Sequence, residues 1–182
     1  MASNALGQLF NDAVWGELDF MVLDLPPGTG DIHLTLVQSV PVTGAVIVTT
    51  PQNVALADVR KAADMFNNES IKVPILGVIE NMSYFSPEDQ PEKKYHIFGQ
   101  GGGQLVANEL SCDLLGNIPI VEAIAEAGDQ GAPITLDDST TTAAIFKTIA
   151  EKVIHNVEKR NEEQEATRIV QIDPNANCAT DK

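Results

Sequence analysis

The sequence predicts an α/β fold: a mostly parallel sheet with helices on both faces. Three observations predict it. Residues 18–25, 44–50 and 73–79 are short, largely apolar runs, and 114–119 is a shorter fourth. Continuous rather than alternating runs suit strands covered on both sides. Stretches with apolar residues at helical spacing lie between them, so strands and helices alternate. Each run ends in polar or turn-forming residues: Asp24, then Thr49-Thr50-Pro51-Gln52, then Glu80-Asn81-Met82, then Ile118-Pro119. In parallel α/β sheets, ligands bind beyond these carboxyl ends.

In chain order, residues 1–16 carry Leu6, Leu9, Phe10 and Val14 at helical spacing and read as a helix ended by Trp15-Gly16. The first strand, 18–25, delivers Asp24 to its tip. Pro26-Pro27-Gly28-Thr29-Gly30 continues neither strand nor helix and must be a loop. Asp31 is placed to cap a helix over 32–40. After the second strand, Asn53 is placed to cap a helix bearing Val54, Ala55, Val59, Ala62, Ala63 and Phe66. The third strand tolerates Pro74 near its start. Residues 84–103 form the longest irregular stretch, and a loop of that length in a compact domain is functional or mobile. It holds Pro87, Pro91, a charged patch, Tyr95-His96-Ile97-Phe98 and a glycine-rich run at 99–103. Helices over 104–110 and 121–127 follow. A long last helix, capped by Ser139, presents Ala143, Phe146, Ile149, Ala150, Val153, Ile154 and Val157 as an apolar stripe. Residues 1–160 thus read as one domain, and 161–182 as a polar, poorly ordered tail.

The totals exclude several classes. Net charge is −15, from 26 acidic residues against 11 Lys and Arg. A broad basic face for nucleic acid or an anionic membrane is therefore excluded, though a local anion site is not. No apolar run approaches the roughly 20 residues that span a bilayer, and the first residues lack the form of a secretory signal. A cytoplasmic location is expected. The two cysteines, Cys112 and Cys178, form no Cys-x-x-Cys pair and no zinc-type cluster with histidine.

A carboxylate at a strand tip beside a glycine loop is how nucleotide-hydrolysing α/β proteins hold Mg²⁺ and sense a terminal phosphate. Asp24 alone reads as an ordinary strand corner; the whole stretch, with both prolines and both glycines, favours the site. The run 99–103 lacks a following Lys-Ser or Lys-Thr and reads as a hinge or helix N-terminus rather than a phosphate loop. Asn81, directly after a strand, offers an amide to the donor and acceptor edge of a purine, or simply turns the chain. His33 reads as a packing or surface residue, His96 as lacking partners at metal spacing, and His155 as solvated. There is no Gly-x-Ser-x-Gly elbow.

Taken together, Trp15-Gly16-Glu17-Leu18-Asp19, Asp24-Leu25-Pro26-Pro27-Gly28-Thr29-Gly30-Asp31, Thr49-Thr50-Pro51-Gln52, Glu80-Asn81-Met82-Ser83 and His96-Ile97-Phe98-Gly99 resemble the Mrp type of iron–sulfur carrier ATPase. That type is a branch of the deviant-Walker P-loop ATPases that includes the MinD and ParA types. The resemblance implies a P-loop NTPase-like fold, ATP and Mg²⁺ binding with slow hydrolysis, a homodimer, and transfer of a labile Fe–S cluster to client or scaffold proteins. It implies that Asp24 is the Walker B carboxylate holding Mg²⁺ through water. Pro26, Pro27, Gly28 and Thr29 are then the switch loop, with the Gly28 N–H a donor to the γ-phosphate. Asn81 contacts adenine and Pro119 flanks it.

Two departures qualify this. The family's Lys-Gly-Gly-x-Gly-Lys-Ser/Thr loop is not among these residues. The chain is therefore expected to be the C-terminal part of a longer protein or a truncated reading frame. Its incomplete sheet is expected to expose apolar surface and to bind ATP weakly alone. Where many relatives carry Cys-x-x-Cys, the sequence reads Tyr84-Phe85-Ser86-Pro87-Glu88-Asp89-Gln90-Pro91. Thiolate ligation there is impossible, which speaks against a bound cluster. The alternatives are a ParA- or MinD-like positioning ATPase, and a non-catalytic interaction module derived from the fold.

Overall fold

A computed structural model describes residues 7–10, 12–87 and 89–170. Within them, three parallel strands form one sheet in the order β1-β2-β3: β1 (Ala45–Thr49), β2 (Ile75–Glu80) and β3 (Leu114–Asn117). Five α-helices accompany it: α1 (Asp31–Ser39), α2 (Asn53–Asn67), α3 (Gly102–Glu109), α4 (Glu122–Asp129) and α5 (Thr141–Glu163). A 3₁₀ turn at Ile134–Leu136 precedes α5.

Successive strand residues face opposite sides, and each side has its own core. On one, Ile47 and Val78 meet Leu56 of α2 and Val106 and Ala107 of α3. On the other, Val46, Ile79 and Leu115 meet Ile149 and Val153 of α5. The continuous apolar strands predicted from sequence are thus covered on both faces at β2, whereas Val48 of β1 stays 55% exposed. Gly116 lets α5 come this close, since a Cβ there would lie 2.5 Å from Ile149 Cγ1. Polar side chains fix the position of α5 along the sheet. Lys152 Nζ donates to Leu115 O at 2.9 Å, and Asn156 Nδ2 donates to Leu76 O at 2.7 Å.

The expected strand over 18–25 does not form. Val22 is 91% exposed and Leu18, Phe20 and Met21 are also exposed. Only Leu25 reaches a core, the cluster of Val37, Phe66, Ile71 and Val73. The run has a strand's composition, but a strand exists only as part of a ladder. Among the described residues, nothing pairs with it or with the outer edge of β1. The expected first helix falls partly outside the described residues. Of the rest, 7–10 are helical, and Val14 is 99% exposed.

Three expected caps also move. Gly30 and Gln52 occupy the N-cap positions of α1 and α2, so Asp31 and Asn53 are the first helical residues. Asp31 still favours the positive end of α1 from its first turn. At α5, Thr140 rather than Ser139 accepts the hydrogen bond from Ala143 N, at 3.0 Å. Ser139 is held by Asp137 Oδ1 instead. The helix runs to Glu163, and after it Val170 is buried, with its N–H donating to Val37 O at 3.0 Å. Residues 164–170 therefore pack on the body, whereas the remainder of the expected tail, with Cys178, lies outside the described residues.

The stretch 84–101 is stitched to the sheet. Phe85 and Tyr95 exchange both backbone hydrogen bonds, at 2.9 and 2.8 Å, and Phe85 also bridges Ile120 in parallel.

On the surface, Arg60 of α2 grips Glu109 of α3 bidentately, Nε to Oε2 at 2.7 Å and Nη2 to Oε1 at 2.9 Å. The Arg60 guanidinium holds the Glu109 carboxyl below its ordinary range, chiefly through that hydrogen bond. A depressed carboxyl contributes stability that is present above its unfolded-state value and is lost as pH falls through the folded-state value. Glu109→Gln is therefore expected to lower the thermal midpoint near neutral pH, by a difference that shrinks as acid protonates Glu109 and breaks the pair. Parallel melting curves from neutral to acid pH check it, and an equal loss at both ends would sink the assignment.

Candidate functional site

The carboxyl ends of β2 and β3 converge on Glu80. Its side chain is 3% exposed, which is costly for a carboxyl unless its oxygens are hydrogen-bonded. Both are. Ser83 Oγ donates to Oε1 at 2.5 Å, and Gly103 N donates to Oε2 at 2.6 Å. Gly103 lies in the first turn of α3, where backbone N–H groups lack intrahelical acceptors and the helix dipole is positive. Glu80 thus caps α3 from across the domain. No side chain of the helix's own start does so.

The glycine run makes that approach possible. A Cβ on Gly103 would stand 2.7 Å from Glu80 Cβ, and one on Gly102 would stand 2.7 Å from Pro51 O. Gly101, with φ +74°, takes the left-handed conformation at the N-cap. The run is a helix N-terminus docked between the β1–α2 turn and the end of β2, and its Gly103 N–H is already taken by a carboxyl of the same chain. Sequence reading named Glu80 only as part of a strand end. The signal that could have singled it out is a strand-terminal acid combined with a later run of small residues.

Asn81 follows directly. Its N–H donates to Thr49 O at 2.7 Å, tying it to the end of β1. Its Oδ1 accepts from Met82 N at 2.9 Å. Among the described residues its Nδ2 has no partner, so the amide is held and presents a donor. Met82 has φ +53°, an uncommon conformation for a residue with a side chain and one that concentrates at functional sites. Ile118 N donates to Glu80 O at 2.8 Å, and Ser83 N donates to Ile118 O at 2.9 Å. These bonds bring buried Pro119 to the same edge as Asn81.

Behind this edge is a cavity of about 330 Å³ between β2, β3 and the 84–101 loop. Glu80, Tyr84, Lys94, His96 and Asn117 line it. Lys94 Nζ sits 4.2 Å above the Tyr84 ring, and His96 packs edge-on to Tyr84 at 6.5 Å. His96 Nδ1 lies 3.1 Å from Ser83 O, which makes Nδ1 the donor. His33 is buried with Nδ1 unpartnered, a packing residue, and His155 is exposed.

The other predicted site residues are not gathered here. Asp24, Pro26, Pro27, Gly28 and Thr29 lie exposed on the unpaired segment. Gly28 has φ +95°, with open space where a Cβ would be. Among the described residues, no hydrogen bond or ion pair joins Asp24 or that loop to the strand ends. The structure therefore unites Asn81 with Pro119 and leaves the Asp24 corner apart.

Metal-ligating chemistry is sparse. No group of three or more His, Cys, Asp or Glu could hold a metal ion among the described residues. Cys112 packs beside the core cluster of Ile47 and Val78. Burial, with Asp113 adding to it, pushes its thiol up and keeps it protonated at neutral pH. No described helix is long and apolar enough to cross a membrane.

Comparison with known proteins gives a consistent picture. A family model described as the NUBPL iron-transfer P-loop NTPases, of the ParA type, matches residues 1–154. The iron–sulfur cluster carrier protein of Synechocystis is 46% identical over 84% of this chain and 44% of its own length. That of Aquifex aeolicus is 48% identical over 88% and 43% respectively. The iron–sulfur cluster transfer protein NUBPL of Dictyostelium discoideum is 45% identical over 90% and 50%. The chain thus spans about half the length of the curated relatives it matches. Among solved structures, a nucleotide-binding protein from Archaeoglobus fulgidus, in complex with ADP, aligns with a TM-score of 0.64. It is 36% identical over 71% of this chain and 52% of its own. The cell-division ATPase MinD of Pyrococcus furiosus aligns at 0.58 and 21% identity, over 84% and 56%, a likeness of fold.

Replacing Glu80 by Leu removes both acceptors and leaves the Ser83 hydroxyl and the Gly103 N–H buried without their partner. It is expected to cost about 1–3 kcal/mol of stability, read as a lower urea midpoint. An unchanged midpoint would show that the contact does not hold α3 in place.

Proposed function

Since the chain belongs to the NUBPL iron-transfer family of ParA-type P-loop NTPases, we propose that it carries the switch and base-binding parts of an ATP-binding, ATP-hydrolysing protein. That protein assists iron–sulfur cluster assembly or transfer. The observation that carries this reading is the 45–48% identity, over 84–90% of the chain, to proteins named as cluster carriers or transfer proteins. In the cell it acts in the cytoplasm, as a homodimer, on iron–sulfur client or scaffold proteins.

The residues present suit the base of a nucleotide and, on a separate segment, its Mg²⁺ and terminal phosphate. Asn81 Nδ2 is a held donor suited to adenine, with Pro119 beside it. The Asp24 carboxyl, exposed and unpaired, is suited to the water shell of Mg²⁺. Pro26, Pro27, Gly28 and Thr29 form the switch loop, and Gly28, with φ +95°, takes a backbone conformation that favours glycine and offers its N–H. Mg²⁺, when bound, neutralises the charge that develops on the transferring phosphoryl group. The phosphate cradle does not fit these residues, because no Gly-Lys-Ser or Gly-Lys-Thr occurs in the 182. The cluster is cargo, and the cysteines do not fit it. Cys112 sits against the core and is held protonated, and no Cys-x-x-Cys occurs.

Isothermal titration of MgATP into the 182-residue chain is expected to show no micromolar binding, for want of the cradle and its lysine. A micromolar isotherm abolished by Asp24→Asn would overturn that division. In cells lacking the gene, iron–sulfur enzymes are expected to lose activity while cluster-free enzymes keep theirs. Unaltered iron–sulfur enzymes would refute the reading.

A further inference from the structure

A second cavity, of about 340 Å³, lies at the opposite end of the sheet from Asn81, where α5 ends and the chain leads into β1. Pro41, Thr43, Arg160, Asn161, Gln164 and Thr167 line it. Arg160 is 8% exposed. Its Nη1 donates to Asn161 Oδ1 at 3.0 Å, and its Nη2 donates to Glu165 O and Thr167 Oγ1, each at 2.7 Å. All three acceptors are neutral. Nε is buried with no acceptor, and among the described residues Arg160 forms no ion pair. This is unexpected in a chain with 26 acidic residues against 11 basic ones. The carbonyl end of α5 supplies some negative potential, but a helix terminus is a weak partner beside the cost of burying a charge that no acid pairs with.

We propose that this cavity binds a small oxyanion, of the carboxylate or phosphate-monoester class, with Arg160 as its charge partner. The remaining lining fits that chemistry. Among the described residues the Thr43 and Gln164 side chains have no hydrogen bond of their own, and Asn161 keeps its Nδ2 as a donor while Oδ1 serves Arg160. Hydroxyls and amides beside a guanidinium are oxyanion donors. The volume is at the small end of ligand pockets. The site lies at the amino ends of the strands, away from Asp24, Gly28 and Asn81, and does not depend on the nucleotide reading.

The test is ¹H–¹⁵N NMR of arginine Nε–H groups in the whole 182-residue chain, titrated separately with inorganic phosphate and with acetate. The Arg160 signal is assigned by its loss in Arg160→Lys, which keeps the charge and removes the fork. A saturable shift of that signal with either anion, weakened tenfold or more in Thr43→Val, is the expected result, and the anion that saturates identifies the class. Thermal shifts alone do not serve, because such anions stabilise folded proteins generally. A shift that never saturates, or one equal in Thr43→Val, overturns the proposal.

Discussion

The hydrogen bonds of one buried carboxyl hold the functional edge together. Glu80 ends the central strand, and its two oxygens reach Ser83 on its own segment and Gly103 on α3. The first bond folds the chain back after Asn81. The second draws a helix start against the sheet so closely that only glycine fits at two consecutive positions. Removing either partner would leave a buried acceptor or donor unmet, the expensive side of hydrogen-bond energetics. Asn81 and the left-handed Met82 sit between these anchors, so the unusual backbone of Met82 is imposed by the bonds on either side.

Much of this fold was legible in the sequence, and the reasons are local. The runs that became β1 and β2 combine β-branched residues with continuous apolar character, and such runs have few other places to go. The stripe on α5 likewise announced its buried face. Caps were legible only to within a residue, because Asp31, Asn53 and Ser139 have the right chemistry while Gly30, Gln52 and Thr140 have the right backbone conformation. The segment 18–25 shows the opposite limit. Its composition says strand, but pairing is a property of neighbours, and none of the described residues supplies one.

The candidate site divides in the same way. Asn81 and Pro119 were legible as strand-end residues, and backbone bonds between residues 80–84 and 118–120 bring them to one edge. Asp24 and Gly28 were legible as a motif, and the motif is intact, yet the strand that would carry it to that edge is not built. Glu80 was the reverse case. A lone glutamate has no signature until the distant Gly103 is placed beside it, so its role belongs to tertiary structure. Arg160 was equally silent, because nothing in a helical arginine announces that its surroundings lack an acid.

The short ladder of Phe85 with Tyr95 and Ile120 changes what the long loop is. Its tip hangs from a two-sided hinge pin rather than from slack chain, and Ile120 N bonds Tyr84 O one step from Ser83 and two from Met82. Pulling or loading the tip therefore applies torque to the same few peptide units that set the Asn81 amide. A load on the loop is thus borne by the same short backbone ladder that fixes residues 80–85, not by slack chain.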